Sequence, residues 1–481
     1  MLQSKKIGLI LGPLLFALCK TFFHPEGLTP EANSVLATTL WMAAWWITEA
    51  IPISVTALLP MVLFPLTNGL DIGTTAAAYG HKYIFLYMGG FILAIAIENW
   101  NLHRRIALNT IRVIGSNQSL IVLGFMLATA GLSMWISNTA TSVMMLPIAM
   151  AVISQLRDNP LTQENETQIF GKALMLAIAY SASIGGMATK IGTPPNLVLL
   201  GTIEEMYGIE VSFYEWFRVG FPISIFLLGI CWWYLTQIAF KMKDQSFPGG
   251  VKEILRLLKE MGKMKYEEKI VLSVFVGTAL LWIFRSYFQT FFPKLDDSVI
   301  AMMSSITLFL LPNKSRDRAL ITWEEAVKMP WGIILLFGGG MALAAGFKTS
   351  GLANWIGSQL SLLQGLEIFL TVLILVAAVN FLTEITSNLA TTAMLLPILG
   401  GMALALDIHP FYLMISATLA ASCAFMLPVA TPPNAVVFGS GYLRIPDMVK
   451  NGIWMNLISI LIISVFTYFL LPLLWDLSVS P

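Results

Sequence analysis

The sequence predicts an all-α polytopic membrane protein with roughly eleven transmembrane helices and two re-entrant hairpins, arranged as an inverted-topology repeat. Three observations carry that prediction. The 481 residues are 57% hydrophobic and only 11% charged. A soluble domain carries about 25% charged residues, so this chain cannot cover itself with water-facing side chains. One phrase occurs twice, as SNTATSVMMLPI at 137–148 and SNLATTAMLLPI at 387–398, starting 250 residues apart (387 against 137). A second pair follows: IGTPPNLVLLG at 191–201 is answered by VATPPNAVVFG at 429–439. Gly89-Gly90 and Gly339-Gly340 repeat at the same 250-residue spacing. Self-similarity at a fixed period marks a duplicated architecture.

Apolar windows of about 20 residues, long enough to cross a bilayer, fall near 7–24, 33–50, 53–69, 83–100, 172–191, 215–240, 268–289, 298–311, 331–350, 409–429 and 452–474. The stretch at 7–24 follows Lys5 and Lys6 like a signal peptide. With no small-residue cleavage site after it, it reads as a first span. Two longer apolar stretches, 119–156 and 366–406, are each interrupted by the polar phrase. They read as hairpins with SNT and SNL at their tips, since irregular backbone at that depth survives only beside protein or a water-filled cavity. The domain boundaries follow: an N-terminal span over 1–32, a first repeat over 33–240, a cytoplasmic connector helix over 241–269, and a second repeat over 270–481. In the connector, Ile254, Leu255, Leu258 and Met261 form an apolar stripe expected to lie on the membrane surface.

Charge sets the expected orientation. Lys5-Lys6, His103-Arg104-Arg105 with Arg112, the 241–269 stretch, Lys314-Arg316-Arg318, and Arg444 with Lys450 all land on one side of this arrangement. Glu204, Glu205, Glu210 and Asp476 land on the other. The positive-inside rule places the N-terminus in the cytoplasm and the C-terminus outside. The hairpins then open from opposite sides, and a compact chain of this kind suits a bacterial inner membrane. A net charge of +1 gives no reason to expect nucleic acid. Cys19, Cys231 and Cys423 are isolated in apolar sequence and read as small buried hydrophobes. Trp41, Trp45, Trp46 and Trp331 read as interface anchors. Lys20 is expected to reach toward the interface. Glu49, Glu98 and Glu384 read as scaffold or helix-end carboxylates satisfied by their neighbours, with a proton or cation site as the alternative; Glu384 is the exception to watch because it stands three residues before Ser387.

The chemistry lies in the repeated phrases. Ser and Asn offer hydroxyl and amide oxygens to a small cation and an amide N–H to a carboxylate. Where a helix breaks, the N–H groups of the new helix start face an anion and the freed carbonyls face a cation. A proline pair cannot continue the i−4 ladder, so each TPP phrase opens its helix. Four broken helices can thus converge on one mixed site, although Ser, Thr and Asn also join packed membrane helices. A duplicated chain of this kind is organised like a secondary transporter, whose substrate site forms between two repeats. No HExxH, P-loop or paired aspartates occur in the apolar runs, which argues against an enzyme and against ATP-driven pumping.

SNT at 137–139, SNL at 387–389, GTPPN at 192–196 and ATPPN at 430–434 resemble the divalent anion/sodium symporter (DASS) family of di- and tricarboxylate transporters, over essentially the whole chain. The resemblance implies about eleven spans and two hairpins, a homodimer, and an elevator motion of a transport domain. It also implies sodium as the coupling ion and succinate, malate, fumarate, 2-oxoglutarate or citrate as cargo. By resemblance, one sodium site uses Ser133, Ser137, Asn138 and the backbone at Gly192. The other uses Thr383, Ser387, Asn388 and the backbones at Thr386 and Ala430. Substrate carboxylates meet Ser137, Asn138, Thr139, Thr193, Pro194, Ser387, Asn388, Thr431 and Pro432. Such oxygen ligands suit a hard cation. Two positions depart from the family pattern. Leu389 stands where threonine is common, adding an apolar wall that resembles citrate-preferring members. Lys190 stands where an apolar residue is usual. A lysine at bilayer depth is a functional candidate by default, so it reads as adding positive charge to the anion site or replacing a sodium ion, or equally as facing a polar crevice or reaching the interface. The alternatives are a sodium-independent dicarboxylate exchanger, a sulfate transporter, or an anion channel.

Overall fold

The computed structural model describes residues 2–114, 117–157, 164–242, 250–359, 367–475 and 477. Apart from one isolated bridge between Pro312 and Ala319, every regular element described is helical. The first half opens with α1 (Leu2–Phe22) packed on α2 (Pro30–Thr48). Lys20 donates to Ser34 Oγ at 2.8 Å, and Trp45 Nε1 to the Gly8 carbonyl at 2.9 Å. The expected span 53–69 is split into α3 (Ile53–Thr56) and α4 (Leu59–Leu66), with Pro60 in the first turn of α4, where its missing N–H is tolerated. Next come α5 (Ile72–Ala78), α6 (Lys82–Asn99) and the amphipathic α7 (Leu102–Ile114), which buries Leu102, Ala107, Leu108 and Ile111.

The first expected hairpin is present as α8 (Gln118–Ser133) and α9 (Asn138–Arg157), with the SNT phrase at the turn. The next expected span is shorter than the apolar run: α10 (Glu164–Gly186) stops before Lys190, and α11 (Pro194–Tyr207) restarts at the proline pair. α12 (Phe213–Trp233) ends in a π-helical stretch, Tyr234–Ala239. The connector forms α13 (Gly250–Met261), whose inner face includes Ile254, Leu258 and Met261 of the expected stripe but takes Leu257 in place of Leu255. Ile254 and Leu257 are 2% and 6% exposed, whereas Leu255 is 46% exposed. The helix is rolled so that this face packs on α7 and α9. Residues 243–249 of the connector lie outside the described residues.

The second half runs through α14 (Tyr266–Ile283), α15 (Arg285–Phe288), α16 (Asp297–Leu310), α17 (Trp323–Ala326), α18 (Trp331–Thr349) and α19 (Leu352–Gln359). The second hairpin follows as α20 (Ile368–Leu382) and α21 (Asn388–Ala405), with SNL at its turn; its expected start at 366 lies outside the described residues. Then α22 (Phe411–Ala421) stops short of the expected 429 and α23 (Pro432–Phe438) restarts at the second proline pair. α24 (Ile445–Val465) ends in a π-helical stretch, Phe466–Leu470, before α25 (Leu471–Leu474). The elements recur in order. α9 and α21 begin at matched asparagines, and α12 and α24 both finish in π-helix. Glu215 and Asp447 cap those two helices alike, accepting from Ser212 N at 2.6 Å and Arg444 N at 3.1 Å.

The matched glycine pairs mark close helix crossings. A Cβ on Gly89 would lie 2.6 Å from Ala301 Cβ, where α6 crosses α16, and one on Gly339 would lie 2.5 Å from the Ala57 carbonyl, just after α3. Small residues let membrane helices approach this closely. Among the described residues, seven helices are long and apolar enough to cross a membrane, and five further apolar helices are shorter. Roughly eleven spans is therefore not a count of unbroken helices. Cys19, Cys231 and Cys423 are buried and free. Trp46 is core, 2% exposed and donating to the Ile53 carbonyl at 3.0 Å, rather than an interface anchor.

Candidate functional site

The two hairpin turns and the two breaks at the proline pairs surround one cavity of about 780 Å³. Its wall holds Ser137, Asn138, Thr139, Gly192, Thr193, Pro194, Thr386, Ser387, Asn388, Ala430, Thr431 and Pro432. The positions singled out from sequence thus converge, although the chain separates them by up to about 295 residues (432 against 137). Four helices start at this wall: α9, α11, α21 and α23. Each start carries about half a positive charge; α9 and α21 keep backbone N–H groups in their first turn, whereas α11 and α23 begin with proline pairs that have none and act through the dipole alone. Among the described residues, the charged side chains on the wall are Lys5 and Glu49. The anion-attracting field therefore comes mainly from helix ends rather than from a basic side chain.

Behind each hairpin turn lies a matched group of oxygens. Ser133 Oγ faces Asn138 Oδ1 and, at 2.7 Å, the Ala182 carbonyl. Thr383 Oγ1 faces Asn388 Oδ1 at 2.6 Å and the Ala421 carbonyl at 3.1 Å. In each group three oxygens converge and the hydroxyl has one proton to give, so lone pairs outnumber donors. That surplus is what an alkali cation uses, and hard oxygen ligands without Cys or His suit it. Among the described residues there is no cluster of His, Cys, Asp and Glu that could hold a transition metal. Ser133 and Thr383 sit one layer behind the cavity wall, holding the asparagines that face it.

Each break is fastened by the asparagine of its TPPN phrase. Asn196 Nδ2 faces the carbonyls of Gly186, Met187 and Thr189 at 3.2, 3.3 and 2.7 Å. Asn434 Nδ2 faces those of Ala424 and Leu427 at 3.1 and 3.0 Å. Gly186 ends α10 and the other carbonyls lie in the crossings that follow α10 and α22, where helical bonding has stopped and buried carbonyls need other donors. Sequence reading tied the phrase to the helix break but not its asparagine to this task.

Lys190 is placed elsewhere. It is fully buried, and its ammonium meets Asp297 Oδ2 at 2.8 Å, the Val211 carbonyl, and the Tyr83 ring with 4.8 Å to the centroid. It does not line the cavity. Asp297 also accepts from Phe213 N at 2.8 Å, and Arg285 lies 3.2 Å from its other oxygen. The expectation that Lys190 supplies charge to an anion or replaces a cation is corrected here. The lysine is neutralised by a carboxylate 107 residues away, which no local pattern announces. Sequence reading also missed Tyr87, Phe91, Trp135 and Ser183 on the wall. The aromatic ones looked like ordinary core residues, and only the adjacent Gly89-Gly90 pair pointed to that stretch. Leu389 does line the cavity, as an apolar wall beside Asn388.

Residues 4–475 match the family described as "Sodium:sulfate symporter transmembrane region". The "Sodium-dependent dicarboxylate transporter SdcS" of Staphylococcus saprophyticus is 48% identical over 481 residues, covering 98% of this chain and 93% of that protein. SdcS of Staphylococcus aureus strain USA300 is 49% identical, covering 98% and 92%. Among solved structures, the YdaH transporter of Alcanivorax borkumensis aligns with a TM-score of 0.61 at 15% identity, over 92% of this chain and 100% of that one. MtrF of Neisseria gonorrhoeae, from a class of antimetabolite efflux pumps, aligns with a TM-score of 0.57 at 12% identity, over 97% and 95%. At such identities these two speak to the fold alone.

Proposed function

The chain belongs to the sodium:sulfate symporter family, and we propose that it is a secondary active transporter coupling sodium to the uptake of di- or tricarboxylates across the plasma membrane. The observation that carries this reading is the pairing of two matched oxygen groups with four helix N-termini around one cavity. One sodium ion is held by Ser133, Ser137, Asn138 and the Gly192 backbone, and another by Thr383, Ser387, Asn388 and the Thr386 and Ala430 backbones. Substrate carboxylates bind at Ser137, Asn138, Thr139, Thr193 and Pro194 on one side and Ser387, Asn388, Thr431 and Pro432 on the other. Bound cations lower the cost of bringing a multiply charged anion out of water, and the anion in turn holds the cations. That reciprocity is the coupling.

The cavity wall favours a carbon skeleton over sulfate, because Ile191, Ile385, Leu389 and Val429 supply apolar surface. The relatives named as sodium-dependent dicarboxylate transporters support dicarboxylate as cargo. The halves 33–240 and 270–481 are read as inverted repeats. With the N-terminus in the cytoplasm and the C-terminus outside, the cavity mouth beside Ser4, Lys5 and Glu49 faces the cytoplasm. The hairpins pack on the broken helices, α8 on α10, α20 on α22, and across halves α9 on α23, which suits one body moving by an elevator motion within a homodimer.

The test is uptake of labelled succinate into proteoliposomes with inward sodium or potassium only, the vesicles empty or preloaded with unlabelled dicarboxylate. Sodium-dependent uptake into empty vesicles is expected. Uptake indifferent to sodium but dependent on internal dicarboxylate would replace symport with exchange.

A further inference from the structure

The second hairpin turn carries a charge that the first lacks. Glu384 lies between Thr383, which belongs to the second oxygen group, and Ile385, which lines the cavity. It is 3% exposed. Its Oε1 accepts from Phe425 N at 2.8 Å, Met426 N at 2.9 Å and Asn456 Nδ2 at 2.7 Å, and its Oε2 accepts from Leu427 N at 3.0 Å. Four donors surround it, the pattern that an ionised, acceptor-only carboxylate satisfies.

Thr383 and Glu384 grip the two sides of the same break. Thr383 holds the Ala421 carbonyl at the end of α22, while Glu384 holds the three N–H groups that begin the crossing toward Pro428–Thr431 on the cavity wall. The residue 250 positions earlier is Met134. There, Met134 contributes only its carbonyl, accepting from Thr189 Oγ1, which in turn accepts from Gly192 N at 3.0 Å. The charged residue of that first crossing, Lys190, is spent on Asp297.

Burying a carboxylate carries a large desolvation penalty even when it is hydrogen-bonded. A neutral capping group would fasten the crossing at less cost. We propose that Glu384 is a positioning residue for the second-half cation site: it fixes the Ala430 crossing and supplies fixed negative charge to the cation bound beside Thr383. This rests on the sodium reading above. The two cation sites are then unequal, the second being electrostatically the stronger.

The experiment is succinate uptake against sodium concentration in proteoliposomes for wild type, Glu384→Gln and Glu384→Asp, with sodium-induced thermal shifts of the purified proteins. Glu384→Gln removes the negative charge beside the second oxygen group and should raise the half-saturating sodium concentration about tenfold or more. The half-saturating succinate concentration at saturating sodium should stay within about twofold. Glu384→Asp, which keeps the charge on a shorter arm, should restore most of the sodium affinity. A sodium half-saturation equal to wild type in both variants overturns the proposal. So does loss of transport at every sodium concentration with an undiminished sodium-induced thermal shift, which would leave a purely structural cap. A wild type that needs no sodium and shows no sodium-induced shift would instead refute the symport reading itself.

Discussion

Replacing Asp297 by asparagine should destabilise this protein more than removing the lysine it neutralises. Asp297 faces Lys190 at 2.8 Å, Phe213 N at 2.8 Å and Arg285 at 3.2 Å. Without that charge, Lys190 has only neutral partners, the Val211 carbonyl, the Tyr83 ring and the introduced amide oxygen, in a pocket with 0% side-chain exposure. Leaving one partner of a buried pair uncompensated costs about 3–5 kcal/mol. Lys190→Met leaves the carboxylate with Arg285 and Phe213 N, so only the net value of one charged hydrogen bond is lost, about 1.5–3 kcal/mol. The double change Lys190→Met with Asp297→Leu should cost less than the sum of the singles, since neither charge is stranded. The assay is the folded fraction recovered by size exclusion after graded heating of detergent-purified protein, run at low and high salt. The order should hold at both, because buried pairs are little screened. Lys190→Met proving as damaging as Asp297→Asn, or strictly additive singles, would refute the reasoning. Because Lys190 does not reach the cavity, Lys190→Met should leave half-saturating succinate within about twofold of wild type, whereas an anion-binding lysine would raise it sharply.

Three further outcomes are expected. Ser133→Ala and Thr383→Ala each remove the hydroxyl that faces an asparagine carbonyl, and each should raise the half-saturating sodium concentration about tenfold in flux assays, with a smaller effect on succinate. Gly89→Val and Gly339→Val place branched side chains where a single Cβ already meets Ala301 or Ala57 within 2.6 Å; both should lower the midpoint of thermal denaturation by forcing helices apart, and a surface Gly262→Val, open to space, should do so only through its left-handed backbone. Leu389→Thr exchanges apolar wall for a hydroxyl beside Asn388, so competition assays should show succinate gaining on citrate; an unchanged ratio would mean that this wall does not choose the cargo.

Much of the site was legible before any fold. The repeated SN and TPPN phrases named the polar centre of the cavity wall, because a polar phrase inside apolar sequence can persist only where a cavity or a ligand satisfies it. The hairpins were legible for the same reason, and the structure places their turns at Ser137 and Ser387. Less was legible where partners are distant. The expected spans 172–191 and 409–429 outran α10 and α22, since hydropathy continues through a break whose carbonyls are satisfied by Asn196 and Asn434 rather than by the next helical turn. On α13 the expected stripe held except at Leu255, which gives way to Leu257 because the partners, α7 and α9, set the roll of the helix.

Composition, duplication and the spacing of prolines are properties of the chain itself, and they determined the membrane setting, the repeat and the ingredients of the site. Which charge neutralises which was decided only by tertiary structure. Lys190 and Asp297 are 107 residues apart, and Glu384 reaches N–H groups 41 to 43 residues on. In a low-dielectric interior a charge is defined by what stands within about 4 Å of it, and packing brings those neighbours together without leaving a local signature in the sequence.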